Sequence, residues 1–163
     1  MAVKLQLPEE VCLRLAGWVS SGVADTLTKE QRSERMGRIG GKDTGPEMIV
    51  RRLVHAMGYR CRLHDPGLPG KPDLVFRSRH KVIFVHGCFW HRHDDSACKL
   101  ARLPKSRSEF WLPKLEANAA RDRRNQEGLR ALGWDILVIW ECELKDRAFL
   151  KSTIGSFFSH EIA

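Results

Sequence analysis

The sequence predicts an α/β domain, a sheet with helices packed against it. Three observations point there: two short β-branched runs separated by a polar turn, a third continuous apolar run farther along, and helical periodicity before and between them. Thr44-Gly-Pro-Glu47 has the form of a capping box with Pro in the first turn. Ile49, Leu53, Val54 and Met57 then recur at helical spacing until Gly58 stops the run. Leu74-Val-Phe76 and Val82-Ile-Phe-Val85 flank the polar residues 77–80 and read as neighbouring antiparallel strands. Ser106-Arg-Ser-Glu109 has the form of a second capping box, opening a long charged helix through Leu112, Leu115, Leu129 and Leu132 to a stop at Gly133. Ile136-Leu-Val-Ile-Trp140 is an uninterrupted apolar strand, expected to be buried on both faces in a central or parallel position. Ahead of these elements, residues 1–24 carry one amphipathic pattern (Val11, Leu13, Leu15, Trp18) and a Ser20-Ser-Gly22 break, and no chemistry is assigned to them. The expected organisation is an extension over 1–24, one domain over 25–150 and a tail over 151–163.

A chain of 163 residues suits one core. Its 28 Lys and Arg against 20 Asp and Glu give a net charge of +8, which favours a polyanionic partner through phosphate contacts and counterion release. The excess is concentrated: residues 99–130 hold nine basic side chains against four acidic ones. A second basic, Gly-punctuated stretch places Arg32, Arg35, Arg38 and Lys42 where a phosphate backbone could meet several of them, although a solvated arm has the same composition. No apolar run is long enough for a membrane span and the N-terminus lacks the form of a secretory signal, so the expected location is the cytoplasm, with no membrane partner. Five cysteines, an odd number, are poor material for disulfides in such a compartment, which leaves buried thiols or metal ligands; Cys12 and Cys61 read as structural thiols.

Pro72-Asp73 directly precedes one strand and His86-Gly-Cys-Phe-Trp-His91 directly follows the next, so a carboxylate and an imidazole cluster meet at adjacent strand ends. By itself Pro-Asp is a common turn. A carboxylate so placed is also what holds a hard cation such as Mg2+ for phosphodiester hydrolysis. His86, His91 and His93 share one short stretch with Cys88 and Cys98, a combination that favours metal binding. Zinc takes four nitrogen or sulfur donors in a tetrahedron; Cys88-x4-His93-x4-Cys98 supplies three, and Cys142, just past the apolar strand, is the best fourth.

Several blocks together resemble the very-short-patch-repair (Vsr) mismatch endonucleases. They are Leu68-Pro-Gly-Lys-Pro-Asp73, Phe84-Val-His-Gly-Cys-Phe-Trp-His91, Lys105-Ser-Arg-Ser-Glu-Phe-Trp111, Asn118 with Arg121-Asp122, and Gly133-Trp through Trp140-Glu-Cys142. The resemblance covers residues 25–147. It implies a single-domain fold related to type II restriction enzymes, a mixed sheet flanked by helices with a structural zinc, and an enzyme that nicks duplex DNA at a T:G mispair left by deaminated 5-methylcytosine. It further implies Mg2+ held by Asp73 and by the backbone carbonyl of Val85, with His86 and His91 assisting the scissile phosphate and departing oxygen. Glu47 and Asp122 match acidic positions near that site; a helix cap and a salt-bridged helix surface would also account for them. Phe89, Trp90 and Trp111 match aromatics that enter the base stack, and Lys105, Arg107 and Lys114 would hold flanking phosphates. Phe84 and His86 stand where the wider nuclease pattern has an acid and a Lys, which is the Vsr variation. Val85 stands where Thr can occur, an exchange that a main-chain ligand survives. The implied partners are T:G duplex DNA and a companion DNA cytosine methyltransferase, and the chain is expected to be a monomer. Two other readings share these residues: a zinc-stabilised DNA-binding module without activity, and a defence nuclease acting on unmismatched or modified DNA. A module that only binds gives no reason to converge Asp73, His86 and His91.

Overall fold

The structure, a computed structural model, describes Thr28, Gln31, Glu34, residues 42–104 and residues 108–159. The amphipathic pattern at 11–18, Cys12, Arg32, Arg35, Arg38, Lys105 and Arg107, and the cap expected at Ser106, lie outside the described residues. The chain divides into two units, 1–40 and 41–163, and the elements below belong to the second.

Helix α1 (Gly45–Ala56) starts where the capping box places it: Thr44 is the N-cap and its hydroxyl accepts the N–H of Glu47. The reciprocal half is shifted by one residue, because Glu47 Oε2 accepts the N–H of Asp43 at 2.9 Å rather than that of Thr44. Gly58, at φ +89, ends the helix with Tyr59 N–H on the Val54 carbonyl and its own N–H on that of His55. Gly133, at φ +76, ends α2 (Ser108–Ala131) by the same pair of bonds, to Leu129 and Arg130.

Among the described residues the sheet has four strands in the order β1 (Arg62–Leu63), β2 (Leu74–Phe76), β3 (Lys81–His86), β4 (Asp135–Trp140). β1 with β2 and β2 with β3 are antiparallel, and β3 with β4 is parallel, with α2 as the crossover. The polar stretch between β2 and β3 is a 3-10 turn over Arg77–Arg79 closed by His80 in the left-handed region. Alternation along the strands divides the core in two. Leu74, Phe76, Ile83 and Ile139 face α1 and the final helix α3 (Arg147–Ser159), packing with Val50, Val54, Leu150, Ile154 and Phe158. Val75, Val82 and Phe84 face α2, packing with Leu129 and Trp134. The result is a mixed α/β sheet with helices on both faces.

Two expectations are corrected. Ile136–Trp140 is parallel, as expected of a continuous apolar run, but among the described residues it forms the sheet edge, and only Ile139 within it is fully buried. The stretch from 151 is not a tail through Ser159: it completes α3, and Ile154 and Phe158 are 0% and 4% exposed because they close the core over β2 and β3. No helix among the described residues is long and apolar enough to cross a membrane.

Candidate active site and metal centre

Antiparallel pairing of Leu74 with Ile83 sets the start of β2 beside the end of β3, which is what brings Asp73 to the strand carrying His86. Asp73 Oδ2 accepts the N–H of Val85 at 2.7 Å. Burial raises the Asp73 carboxyl above its ordinary range and the charge of Glu47 adds to this, while the Val85 N–H, His64 and His91 oppose. Glu47 belongs to the same neighbourhood. It is 2% exposed, and its Oε1 accepts Arg51 Nη2 at 2.7 Å, so the cap and the site share one carboxylate. A half-buried carboxylate with its charge only partly offset, beside a second, buried one, fits a hard divalent cation.

β3 alternation turns His86 to the α2 face, where it is 5% exposed. The turn after β3, closed by His91 N–H on the Gly87 carbonyl, lays the His91 ring on that of His86 with centroids 4.0 Å apart and 9° between planes. His91 Nδ1 lies 2.5 Å from Asp122 Oδ2 on α2. Burial, with His91 second, drops the His86 imidazole to about 4, so it is neutral at ordinary pH. For Asp122 burial is the largest influence and acts upward, but the His91 hydrogen bond and the charges of His91, His86 and Arg121 bring its carboxyl below the ordinary range. Asp73, His86, His91 and Asp122 thus meet at one end of the sheet.

The four expected sulfur and nitrogen donors also converge. One ligand atom from each of Cys88, His93, Cys98 and Cys142 falls within 4.8 Å of the others, a group able to hold a metal ion. His93 N–H on the Cys88 carbonyl forms the near side, and His93 stacks on Trp140 with centroids 4.2 Å apart. The long interval before Cys98 is taken up by a turn in which Asp95 Oδ1 accepts Ala97 N–H and the Asp95 carbonyl accepts Cys98 N–H, so Asp95 shapes the loop and His93 stays in the group. Three thiols and an imidazole suit zinc, and among the described residues no carboxylate belongs to the group. Burial pushes the Cys88 thiol up to about 12 and raises Cys142; for Cys98 burial also acts upward, but the hydrogen bond with His93 and others hold it at about 7. Cys61 stands apart, half-buried against the main core.

Between the two clusters the chain presents aromatics. Phe89, Trp90 and Trp111 are each half-buried and meet edge to face, with centroids 5.0 to 6.0 Å apart. Asn118 Nδ2 donates to the Trp90 carbonyl at 3.2 Å, and Arg92 pairs with Glu116 at 2.9 Å, two ties from the loop to α2. Lys114 Nζ stands 5.7 Å over the Trp111 ring. Two participants went unread in the sequence. Phe110, 55% exposed, extends the aromatic group, and its neighbour Trp111 was the available signal. His64, between Glu47 and Asp73, had no signal short of the fold.

The sequence model of the family described as DNA mismatch endonuclease Vsr matches residues 24–97. The type II nicking enzyme V.XorIIP of Xanthomonas oryzae is 49% identical over 132 residues, 81% of this chain and 95% of that protein. The type II nicking enzyme V.NmeAIP of Neisseria meningitidis is 39% identical over 133 residues, 82% and 93%. The DNA mismatch endonuclease Vsr of Escherichia coli is 43% identical over 125 residues, 77% and 78%. With relatives this similar over most of their own length, the chain belongs to the Vsr family of DNA mismatch endonucleases.

Proposed function

We propose that this chain nicks one strand of duplex DNA at T:G mispairs by Mg2+-dependent hydrolysis, on a restriction-endonuclease-like domain steadied by zinc at Cys88, His93, Cys98 and Cys142. The observation that carries the reading is the convergence at one sheet end of a half-buried carboxylate with an imidazole pair braced by a second carboxylate. Asp73 would hold the cation, with the Val85 carbonyl beside it and Glu47 close by. Mg2+ bound there would supply Lewis acidity toward the scissile phosphate and ease deprotonation of water. Asp122 fixes the ring of His91 through Nδ1, which leaves Nε2 to move a proton to the departing oxygen. His86, kept neutral by burial, can hydrogen-bond the phosphate without adding a second positive charge against the His91 ring.

Phe89, Trp90 and Trp111 would enter the stack beside the mispair. Opening a mispaired step costs less than opening a paired one, so the deformation itself discriminates. Lys114, with Lys105 and Arg107, would hold flanking phosphates. The substrate points to a DNA cytosine methyltransferase as companion, since deamination of its product makes the T:G pair. The test is a nicking assay on labelled duplexes carrying T:G, T:A or C:G at one position, with Mg2+ or with chelator. Nicking of T:G alone, abolished by chelator, is expected. Equal cutting of all three would turn the reading to a nuclease on unmismatched DNA, and binding without cutting would turn it to a DNA-binding module.

A further inference from the structure

We propose that His64 is a positioning residue of the cation site, its ring packed between the carboxylates of Glu47 and Asp73 so as to set how the two face one divalent cation. The inference rests on the reading of Asp73 as a cation ligand. The ring lies between the two acids: Nε2 is 3.1 Å from Glu47 Oε1, and Nδ1 is 3.9 Å from Asp73 Oδ1. The side chain is 14% exposed, and Nε2 is buried without a hydrogen bond of proper geometry, although Glu47 is near. A buried imidazole nitrogen aimed at a carboxylate and left off its bonding line is poised for a small shift of that carboxylate, the shift a cation drawing Glu47 toward Asp73 would bring.

The backbone holds the ring there. His64 sits at φ +47, uncommon for a residue with a Cβ, and its N–H reaches the Asp73 carbonyl at 3.4 Å, which ties the end of β1 to the residue before β2. The Glu47 oxygen that His64 faces also has a guanidinium partner. Arg51 Nη2 lies 2.8 Å from Asp43 Oδ1 and 2.7 Å from Glu47 Oε1, so one guanidinium is shared by two carboxylates and offsets only part of their charge. Toward Asp73 it is the His64 ring that stands next to Glu47.

Mn2+ is the probe, bound to the zinc-loaded chain without DNA and followed by the electron paramagnetic signal of the free ion. Wild type is compared with His64→Ala, His64→Gln and Asp73→Asn, alongside thermal unfolding and binding to a T:G duplex. His64→Ala should weaken Mn2+ binding about tenfold and raise the Mn2+ concentration for half-maximal nicking equally. The rate at saturating Mn2+ should stay within threefold and duplex binding within twofold. His64→Gln, which keeps a polar N–H of similar reach, should recover most of the affinity. Unchanged Mn2+ affinity in His64→Ala, with loss in Asp73→Asn, overturns the role of His64. Unchanged affinity in Asp73→Asn overturns the cation-site reading and the inference with it. Equal losses of Mn2+ and duplex binding in His64→Ala would mean general disorder and also overturn it. If His64→Ala does not fold, His64→Leu, which fills the space without a nitrogen, is read in its place by the same criteria.

Discussion

Asp73→Asn removes one charge from the sheet end while keeping the side chain's size. Asp73 Oδ2 accepts Val85 N–H at 2.7 Å, and an amide oxygen can take the same bond. The loss there is the difference between a charge-assisted and a neutral hydrogen bond, about 1 kcal/mol. Against it stands the raised carboxyl: burial and Glu47 disfavour the ionised form where it sits, so its removal returns part of that loss. The net change in stability should stay within about 1 kcal/mol, a Tm shift of roughly 2–4 °C for a chain of this length. Catalysis should respond far more. Losing the anionic ligand should remove about 4 kcal/mol of transition-state stabilisation, and at 1.36 kcal/mol per decade that is roughly a thousandfold in single-turnover nicking. The measurement is the nicking rate of a labelled T:G duplex in Mg2+, with Tm and duplex binding in Ca2+ as controls. Cutting within tenfold of wild type by a folded Asp73→Asn protein would refute the assignment of Asp73.

Native protein should hold one zinc per chain, and Cys142→Ala should lose it together with at least ~3 kcal/mol of stability, because the four-donor site scarcely exists in the unfolded chain; elemental analysis finding no zinc in carefully prepared wild type would remove this expectation. Trp90→Ala should weaken binding to a T:G duplex by ~1–3 kcal/mol and to a matched duplex much less, with zinc content unchanged. Titrations showing equal losses on both duplexes would assign Trp90 to packing or general DNA contact. Gly70→Ala should destabilise the loop leading to Asp73 by ~2–4 kcal/mol, since Gly70 has φ +74 and an added Cβ would lie 2.9 Å from Asn125 Cβ. Denaturant melts should show partial rescue by Asn125→Gly and none by Asn125→Ala, which keeps the clashing atom.

Much of this architecture was legible because it is written locally. Thr44, Pro46 and Glu47 mark a helix start, Gly58 and Gly133 mark helix ends, and the short apolar, β-branched runs 74–76 and 82–85 on either side of a polar turn mark paired strands. The spacing of Cys88, His93 and Cys98 could be read for the same reason, and Cys142 because it follows an apolar strand. What escaped depends on neighbours remote in sequence. Apolar composition in β4 does not say whether a further strand covers it, and none does among the described residues. The contribution of α3 to the core follows from where β2 and β3 leave space, not from the pattern of 147–159 alone. His64 could not be distinguished from a solvent-facing histidine, since its place depends on a positive φ and on an acid in another element.

Cys98 and Cys142 lie 44 positions apart, with all of α2 and β4 between them, the crossover that makes β3 and β4 parallel. Parallel neighbours have no hairpin to hold their ends together, and this pair lies at the rim of the sheet. An ion shared by these two thiolates would act as a staple on that long excursion. Closing a 44-residue loop in the denatured ensemble removes conformational freedom worth about 4 kcal/mol on the entropy scale used for covalent cross-links. The staple is fastened at the same end of the sheet as His86 and Asp73. Stripping the ion would therefore be felt first as fraying of β4 from β3, detectable by hydrogen exchange at residues 136–140 before the remaining strands lose protection.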